Sequence, residues 1–583
     1  MYRNMITLVR GVQRVGTVFK HSSNIIRISS FNKISTASKA QIIDGNNGER
    51  IYTSPYGDID LPSLTVQDYV WKNMNKWPER IAVECGITGR KYTYAQARDK
   101  ANCIAKSLKN MGLQDGDVVA IILPNLPESP ISFLGILEAG LVVTTVNPMY
   151  TIDEISRQLK FSKAKALITC GTIAPNAVAA GRAVLPPNAP IIVVQDTKNS
   201  SVPDGTISFK DLIEKGSSLP PIKEVFRSPD ELAILPFSSG TTGMPKGVQL
   251  THRNLVSTIV MTDNSSTLMN TGYQDIIIAS IGFFHIYGAV GLMLPRLSDG
   301  AKLVTLPFFT PDSFVNALAN NECTLMYCVP SMILFFGASP LVKAEYFKSV
   351  RSVFSGAAPL AETDVLRMYE KFGITSKDLQ IAQGYGLTEC SCVAFLELSN
   401  RKFSSIGRPI IKCEVRLVDP KSGNDIANTG ETGEIWLRGP NIMKGYLDNE
   451  EETKKTLQNG WLKTGDIAYF DDDLDFYITD RLKELIKVKG FQVPPAELEA
   501  VLRTHPDIAD AAVIGVPDAR CGEVPRAFVV LKDKHSATEE NIQNYMKGKV
   551  SEFKELKGGV RFINQIPRNA TGKILRISLK DHN

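Results

Sequence analysis

Between about residue 55 and residue 480, short β-rich runs alternate with stretches that read as helices, and this rhythm limits the fold more than any other feature. Val118-Val119-Ala120-Ile121-Ile122-Leu123 ends at Pro124, as a buried strand does. Ser129 and Pro130 then offer a cap and first turn for a helix running through Leu137. Leu141-Val142-Val143, Ala166-Leu167-Ile168-Thr169 and Ile191-Ile192-Val193-Val194 continue the series. Such alternation predicts βαβ units and largely parallel sheets.

Beyond Asp480-Arg481 the pattern restarts on a smaller scale. The acidic turn Asp471–Asp475 reads as exposed and leads into a short strand, Phe476-Tyr477-Ile478. Pro494-Pro495 opens a helix through Leu502, and Ala512-Val513-Ile514 and Ala527–Leu531 read as strands. A charged helix is expected around Glu539–Leu556. The expected architecture is α/β: a large domain of mixed, largely parallel sheets with helices over residues 41–480, and a small α+β domain over 481–583. At 583 residues the chain is too long for one ordinary core, in keeping with that division.

Charge is unevenly placed. Residues 1–40 carry Arg3, Arg10, Arg14, Lys20, Arg27, Lys33 and Lys39 and no acid. Without those seven, 59 bases face 61 acids, so residues 41–583 carry a net charge of −2 and give no reason to invoke nucleic acid. Ile6, Leu8, Val9, Val12, Val15 and Val18 interleave with the bases, so a helix here has one apolar and one cationic face. A basic, serine-rich, acid-free start of this kind reads as a mitochondrial transit peptide over residues 1–40; an unstructured basic tail, and a cytoplasmic protein, is the alternative. Arg10 and Arg14 interrupt any secretory apolar stretch, and Lys580-Asp581-His582-Asn583 is not a peroxisomal address. No apolar run reaches the roughly 18 residues of a membrane span. The nine cysteines lack metal-ligand spacing and read as reduced thiols.

The sharpest local signal is Phe237-Ser238-Ser239-Gly240-Thr241-Thr242-Gly243-Met244-Pro245-Lys246-Gly247, which follows the apolar run Leu232–Leu235. Its glycines let the backbone turn tightly and aim N–H groups at an anion, and its hydroxyls and Lys246 add donors for phosphate oxygens. The spacing is not that of a Walker A loop. A polar surface loop has the same composition, so this segment alone does not decide the matter.

Four further segments occur in order. They are Gln383-Gly384-Tyr385-Gly386-Leu387-Thr388-Glu389, Trp461-Leu462-Lys463-Thr464-Gly465-Asp466, Asp480-Arg481-Leu482-Lys483-Glu484-Leu485-Ile486-Lys487, and Asn569-Ala570-Thr571-Gly572-Lys573-Ile574-Leu575-Arg576. Together with Ser238–Gly247, they resemble the ordered motifs of the adenylate-forming superfamily, which includes acyl-CoA synthetases, luciferases and peptide-synthetase adenylation domains. The resemblance spans about residues 50–580. Phe284-His285-Ile286-Tyr287-Gly288 and Lys487–Val493 are most similar to 4-coumarate–CoA ligases and their luciferase-like relatives.

The resemblance implies an acid–CoA ligase. A carboxylate attacks the α-phosphorus of ATP, pyrophosphate leaves, and the acyl-AMP passes its acyl group to coenzyme A. Negative charge then crowds a small space, so positioned cations and backbone donors are needed. It implies that Ser238, Ser239, Gly240, Thr241, Thr242, Gly243 and Lys246 hold phosphates and that Lys573 bridges the carboxylate and α-phosphate. Asp466 and Arg481 would take the ribose, while Thr241 and Glu389 would hold Mg²⁺. The adenine would lie between Gly356-Ala357-Ala358 and Tyr385, within a nucleotide site that also takes in Gln383, Gly384, Gly386 and Thr388. His285 would guard the acyl pocket, formed with Tyr287, Gly356 and Gly384. Further lining is expected from Tyr327–Ser331 and Cys392-Val393-Ala394. A mobile small domain would rotate for the second half-reaction, with Lys483, Lys487 and Gln492 touching the adenylate and Lys489-Gly490 touching CoA.

The acyl lining suits either an aryl-propenoate or a medium- to long-chain fatty acid. Cys390–Phe395 departs from the Gly/Pro-rich wording expected of plant coumarate ligases, which weakens a strict hydroxycinnamate assignment. Two other readings stay open: a luciferase-like enzyme with a different acceptor, and an inactive nucleotide-binding scaffold.

Overall fold

The computed structural model describes residues 42–45, 49–222, 227–238, 245–265, 275–397, 402–481, 484–488, 491–518, 520–533, 535–547, 549–550, 552–568 and 572–580. Residues 1–40, read as a transit peptide, lie outside them, as do residues 239–244 of the glycine-rich segment.

The expected alternation builds two nine-stranded sheets among the described residues. In the first, Val118–Ile122 lies between Val142–Thr145 and Ala166–Cys170, all parallel, with Ile191–Val194 beyond. In the second, Lys302–Thr305, Ile276–Ala279, Leu325–Cys328, Ser352–Ser355 and Gln380–Tyr385 run parallel. Antiparallel strands close that sheet at both ends, with Phe395–Glu397 beside Gln380–Tyr385. Helices cover these strands, so continuous apolar runs such as Leu325–Cys328 are buried on both faces. The helix Glu128–Glu138 follows the first strand but is not capped by Ser129, contrary to the sequence reading. Ser129 lies inside the first turn, and its hydroxyl donates to the Pro124 carbonyl at 2.8 Å, tying the entering loop instead.

A third, seven-stranded sheet was not anticipated. It joins Ile42–Asp44 and Arg50–Tyr52 to strands between Glu414 and Arg481, in antiparallel order. Arg481 pairs with Asp466 and ends the last strand of this sheet, so it belongs to the large body and does not open the small one. The passage between domains falls between Arg481 and Ile486, whose strand joins the five-stranded sheet of the small domain. There the long pair Ile508–Asp518 and Gly522–Leu531 replaces two short expected strands. The charged helix ends at Met546, and a separate short turn covers Glu552–Lys554. The small domain has its own core, which includes Val513, Val529, Leu498 and Ile542.

The acidic turn is not simply solvated. The Lys402 ammonium lies 2.7, 2.8 and 2.6 Å from carboxylate oxygens of Asp471, Asp473 and Asp475. Arg408 adds a 2.7 Å contact to Asp475, which is buried. Burial pulls the Lys402 ammonium down, but the three carboxylates outweigh it and hold it above its ordinary value. No described helix is long and apolar enough to cross a membrane, and all nine cysteines are free thiols.

Candidate active site

At the carboxyl ends of the second sheet a cavity of about 900 Å³ opens between the two domains. Its phosphate side begins at a hairpin, where Phe237–Ser238 pairs antiparallel with Lys246–Thr251. The Ser238 hydroxyl donates to Glu389 Oε1 at 2.9 Å, and the Tyr446 hydroxyl donates to the same oxygen at 3.0 Å. Burial and then the Glu389 carboxylate push the Tyr446 phenol above its ordinary pKa, so it stays a donor. Lys246 forms an ion pair with Glu452, and its ammonium lies 5.1 Å from the centre of the Tyr446 ring. Glu389 therefore faces the cavity as a buried carboxylate among hydroxyls, a donor set of hard oxygens that fits Mg²⁺. Its expected partner Thr241 lies outside the described residues, as do Ser239, Gly240, Thr242 and Gly243.

Glu389 is held by an unusual turn. A single 3₁₀ turn, Thr388–Cys390, is followed by Ser391 and Cys392 with φ of 57° and 104°. Two successive non-glycine residues at positive φ cost about 1–3 kcal/mol each unless neighbours enforce them. Asn441 does so: its side-chain amide donates to the carbonyls of Cys390 and Val393, while its backbone carbonyl accepts from the Ser391 hydroxyl at 2.8 Å. The Met443 amide completes the hold by donating to the Glu389 carbonyl at 2.9 Å.

On the nucleoside side, the Tyr385 hydroxyl donates to Asp466 Oδ2 at 2.7 Å. Burial, reinforced by the Asp466 carboxylate, raises the Tyr385 phenol well above its usual pKa. Asp466 itself is buried, directly across the strand pair from Arg481, so the two ribose candidates are neighbours in register. Glu434, which the sequence reading missed, steadies the turn before Asp466. One of its oxygens accepts from the Gly465 amide and the other from the Trp436 indole, both at 2.9 Å. Gly356, Ala357, Gly384, Gly386 and Thr388 line the cavity as expected, whereas Ala358 does not. Gln383 is likewise off the cavity. Its side-chain carbonyl accepts from the Leu360 amide at 2.7 Å and its amide donates to the Ser405 carbonyl at 2.8 Å. It is buried and pins the end of the Gly356–Leu360 loop from beneath, which is why its polarity misled the sequence reading.

The acyl side is aromatic. Tyr287 begins a π-helical turn through Met293, and its hydroxyl donates to the Phe354 carbonyl at 3.0 Å. That turn sits so close to the preceding loop that a Cβ on Gly288 would lie 2.1 Å from the Gly282 carbonyl oxygen. A Cβ on Gly356 would lie 3.5 Å from both the Tyr287 ring and the Gly384 carbonyl oxygen, so ring and backbone already lie close together at this side of the cavity. Tyr327, Phe354, Cys392, Val393 and Leu396 also line the cavity, while Cys328–Ser331 and Ala394 do not. His285 lines it too. Burial lowers its pKa to about 4, leaving a neutral ring at pH 7 whose Nδ1 accepts from the Tyr287 amide at 3.3 Å. Asn125 positions the loop: its amide donates to the carbonyls of Ala279 and Ile281, and its carbonyl accepts from the Phe283 amide.

Lys573 reaches this cavity from the small domain, with its ammonium 3.7 Å from Glu484. Arg576 bridges Glu484 and Glu499 at 3.2 and 2.8 Å and steadies the same arm. Gly572, at φ 77°, lies against the large domain, where an added Cβ would meet Val329 and Ser331 at 3.2 Å. Lys487 is exposed and does not line the cavity. Gln492 lies in the strand Phe491–Val493 on the small domain. Lys483, Lys489 and Gly490 lie outside the described residues.

Known proteins resemble this chain in sequence and in fold. Residues 70–447 match the AMP-binding enzyme family model, and residues 497–573 match the AMP-binding enzyme C-terminal domain. A probable 4-coumarate–CoA ligase 1 of Dictyostelium discoideum is 37% identical over 549 residues, covering 92% of this chain and 98% of the relative. A 4-coumarate–CoA ligase 3 of Oryza sativa subsp. japonica is 37% identical, covering 91% and 94%. Among solved structures, ATP-bound MatB from Rhodopseudomonas palustris is similar with a TM-score of 0.78 and 26% identity, covering 89% of this chain and 99% of that one. The anthranilate CoA ligase AuaEII with anthranoyl-AMP gives 0.80 and 25%, covering 90% and 98%. A cavity shared by a phosphate-facing hairpin, a buried carboxylate and a lysine from a second domain is what such relatives would need, and the chain belongs to the AMP-binding enzyme family as a 4-coumarate–CoA ligase-like acid–thiol ligase.

Proposed function

We propose that this ligase activates a flat aryl or aryl-propenoic acid as its acyl-AMP and transfers the acyl group to coenzyme A. The observation that carries this reading is the aromatic part of the cavity lining, where Tyr287, Tyr327 and Phe354 stand with Gly356 and Gly384. Aromatic walls favour an aromatic guest through stacking and edge contacts. The names of the 4-coumarate–CoA ligase relatives point the same way. A medium- or long-chain fatty acid is the second reading, favoured by the aliphatic end of the pocket at Val393 and Leu396.

In this mechanism Lys573 meets the carboxylate and α-phosphate as a compact point charge. Tyr385 and Asp466 hold the nucleoside, and neutral His285 borders the acyl entrance without adding charge. Glu389 and Thr241 would ligate Mg²⁺, which neutralises phosphate charge when bound. Rotation of the small domain about residues 480–487 would then withdraw Lys573 and bring Lys489-Gly490 to the site for thioester formation. We also read residues 1–40 as a mitochondrial address, on the strength of their seven bases and absent acids.

The test is acid-dependent ATP–pyrophosphate exchange on residues 41–583, with 4-coumarate, cinnamate, benzoate and C6–C16 fatty acids, followed by thioester analysis with CoA. Exchange and thioester with the aryl-propenoates support the reading. A preference for fatty acids replaces the substrate class, and exchange without thioester points to another acceptor. No exchange with any acid points to an inactive nucleotide binder. Import of the full chain into isolated mitochondria with loss of the N-terminal segment tests the address.

A further inference from the structure

Lys246 already has an anion. Its ammonium pairs with Glu452, which comes from the helix Glu450–Thr456, and both side chains line the cavity. The pair is largely withdrawn from solvent, with 12% and 25% of the two side chains exposed. Glu452 is placed with some care: its own amide donates to the Asn449 side chain at 3.1 Å, starting the helix. Lys455 and Thr456 from the same helix also face the cavity, beside Tyr446 and Glu389. The edge of the cavity next to the phosphate hairpin is thus this short helix.

We propose that Glu452 is an internal stand-in for the terminal phosphates of ATP: it holds Lys246 while the cavity is empty, yields it to the triphosphate, and takes it back as pyrophosphate leaves. The inference rests on the nucleotide reading of the cavity and deepens it. Two charge effects act together. A carboxylate on the ammonium cancels most of its attraction for phosphate, and a carboxylate beside a triphosphate repels it. Both lower affinity for ATP and for pyrophosphate, and both leave the acid site untouched. An enzyme whose first product carries several negative charges gains faster release from such a competitor.

The test uses the full-length protein and measures MgATP and magnesium pyrophosphate binding by calorimetry without any acid, alongside ATP–pyrophosphate exchange. Glu452→Gln keeps the size and removes the charge. We expect both ligands to bind about fivefold more tightly, as loss of one partly screened ion pair allows, with the KM of the acid unchanged. Glu450→Gln, a solvated carboxylate in the same helical turn, should change neither. In a Lys246→Met background, Glu452→Gln should lose most of its effect. Weaker or unchanged binding of both ligands by Glu452→Gln overturns the proposal, as does an undiminished effect in the Lys246→Met background. Failure of exchange with every acid, while the binding changes persist, overturns the acid–CoA ligase reading and spares this one.

Discussion

The wall that the large domain builds around Tyr385 and Asp466 and the Lys573 arm of the small domain meet in one cavity but are built by opposite rules. The wall is buried and its polar atoms are used by the protein: Tyr385 on Asp466, Glu434 on Gly465 and Trp436, and Gln383 under the Gly356–Leu360 loop. The arm is half-buried and held by charges, with Glu484 between Lys573 and Arg576, and by the contact of Gly572 with Val329 and Ser331. Recognition of a ligand gains from groups fixed in advance. On the proposed mechanism, a cation that must later leave gains from contacts that break at low cost. The difference teaches that, on that mechanism, binding and chemistry would be carried by separable bodies.

The largest test of that separation is Lys573→Ala. It should lower acyl-AMP formation by about a hundredfold to a thousandfold, while supplied acyl-AMP still yields thioester with CoA at near-normal rate. Equal loss of both half-reactions in stopped-flow assays would break the comparison. Next is Asp466→Ala, which removes the acceptor of a buried phenol. Loss of that acceptor from the Tyr385 hydroxyl should cost about 1–3 kcal/mol of stability in urea titration, and the KM for ATP should rise about tenfold. A change in ATP affinity without loss of stability would show that the wall is less prefixed than its hydrogen bonds imply.

A third effect separates site from core through pH. His285 and His252 are both lowered from 6.5 to about 4, chiefly by burial, but only His285 lines the cavity. In each case the unfolded chain takes up the proton first as pH falls. The stability from keeping the ring neutral is therefore full above about pH 6.5 and is lost down to about 4, at roughly 1.4 kcal/mol per pH unit per histidine. His285→Ala should lower the slope of unfolding free energy in that window by about 1.4 kcal/mol per pH unit and leave the His252 contribution in place. The smallest effect belongs to Lys402→Met, which should lower stability by about 1 kcal/mol and leave exchange kinetics unchanged, because that cluster touches neither wall nor arm.

The sequence made the proposed order of chemistry readable because each motif carries residue types that suit phosphate, ribose or carboxylate. Lys573, Glu389, Asp466 and His285 all face or border one cavity, from strands and turns far apart in the chain. What stayed hidden is contact made between segments. Glu434 and Asn125 look like an ordinary strand acid and loop amide until their partners are in place. Gln383 misled for the converse reason, since a polar side chain within a nucleotide motif also satisfies buried backbone groups. The third sheet was invisible because its strands come from both ends of the large domain.

Lys402 has one more consequence. Three aspartates close enough to chelate a divalent ion instead share an ammonium that arrives on the same chain. A tethered counterion is present at an effective concentration that no free ion in the surroundings matches, and no chelator removes it. A divalent ion would have to displace that ammonium before this corner of the large domain could bind it.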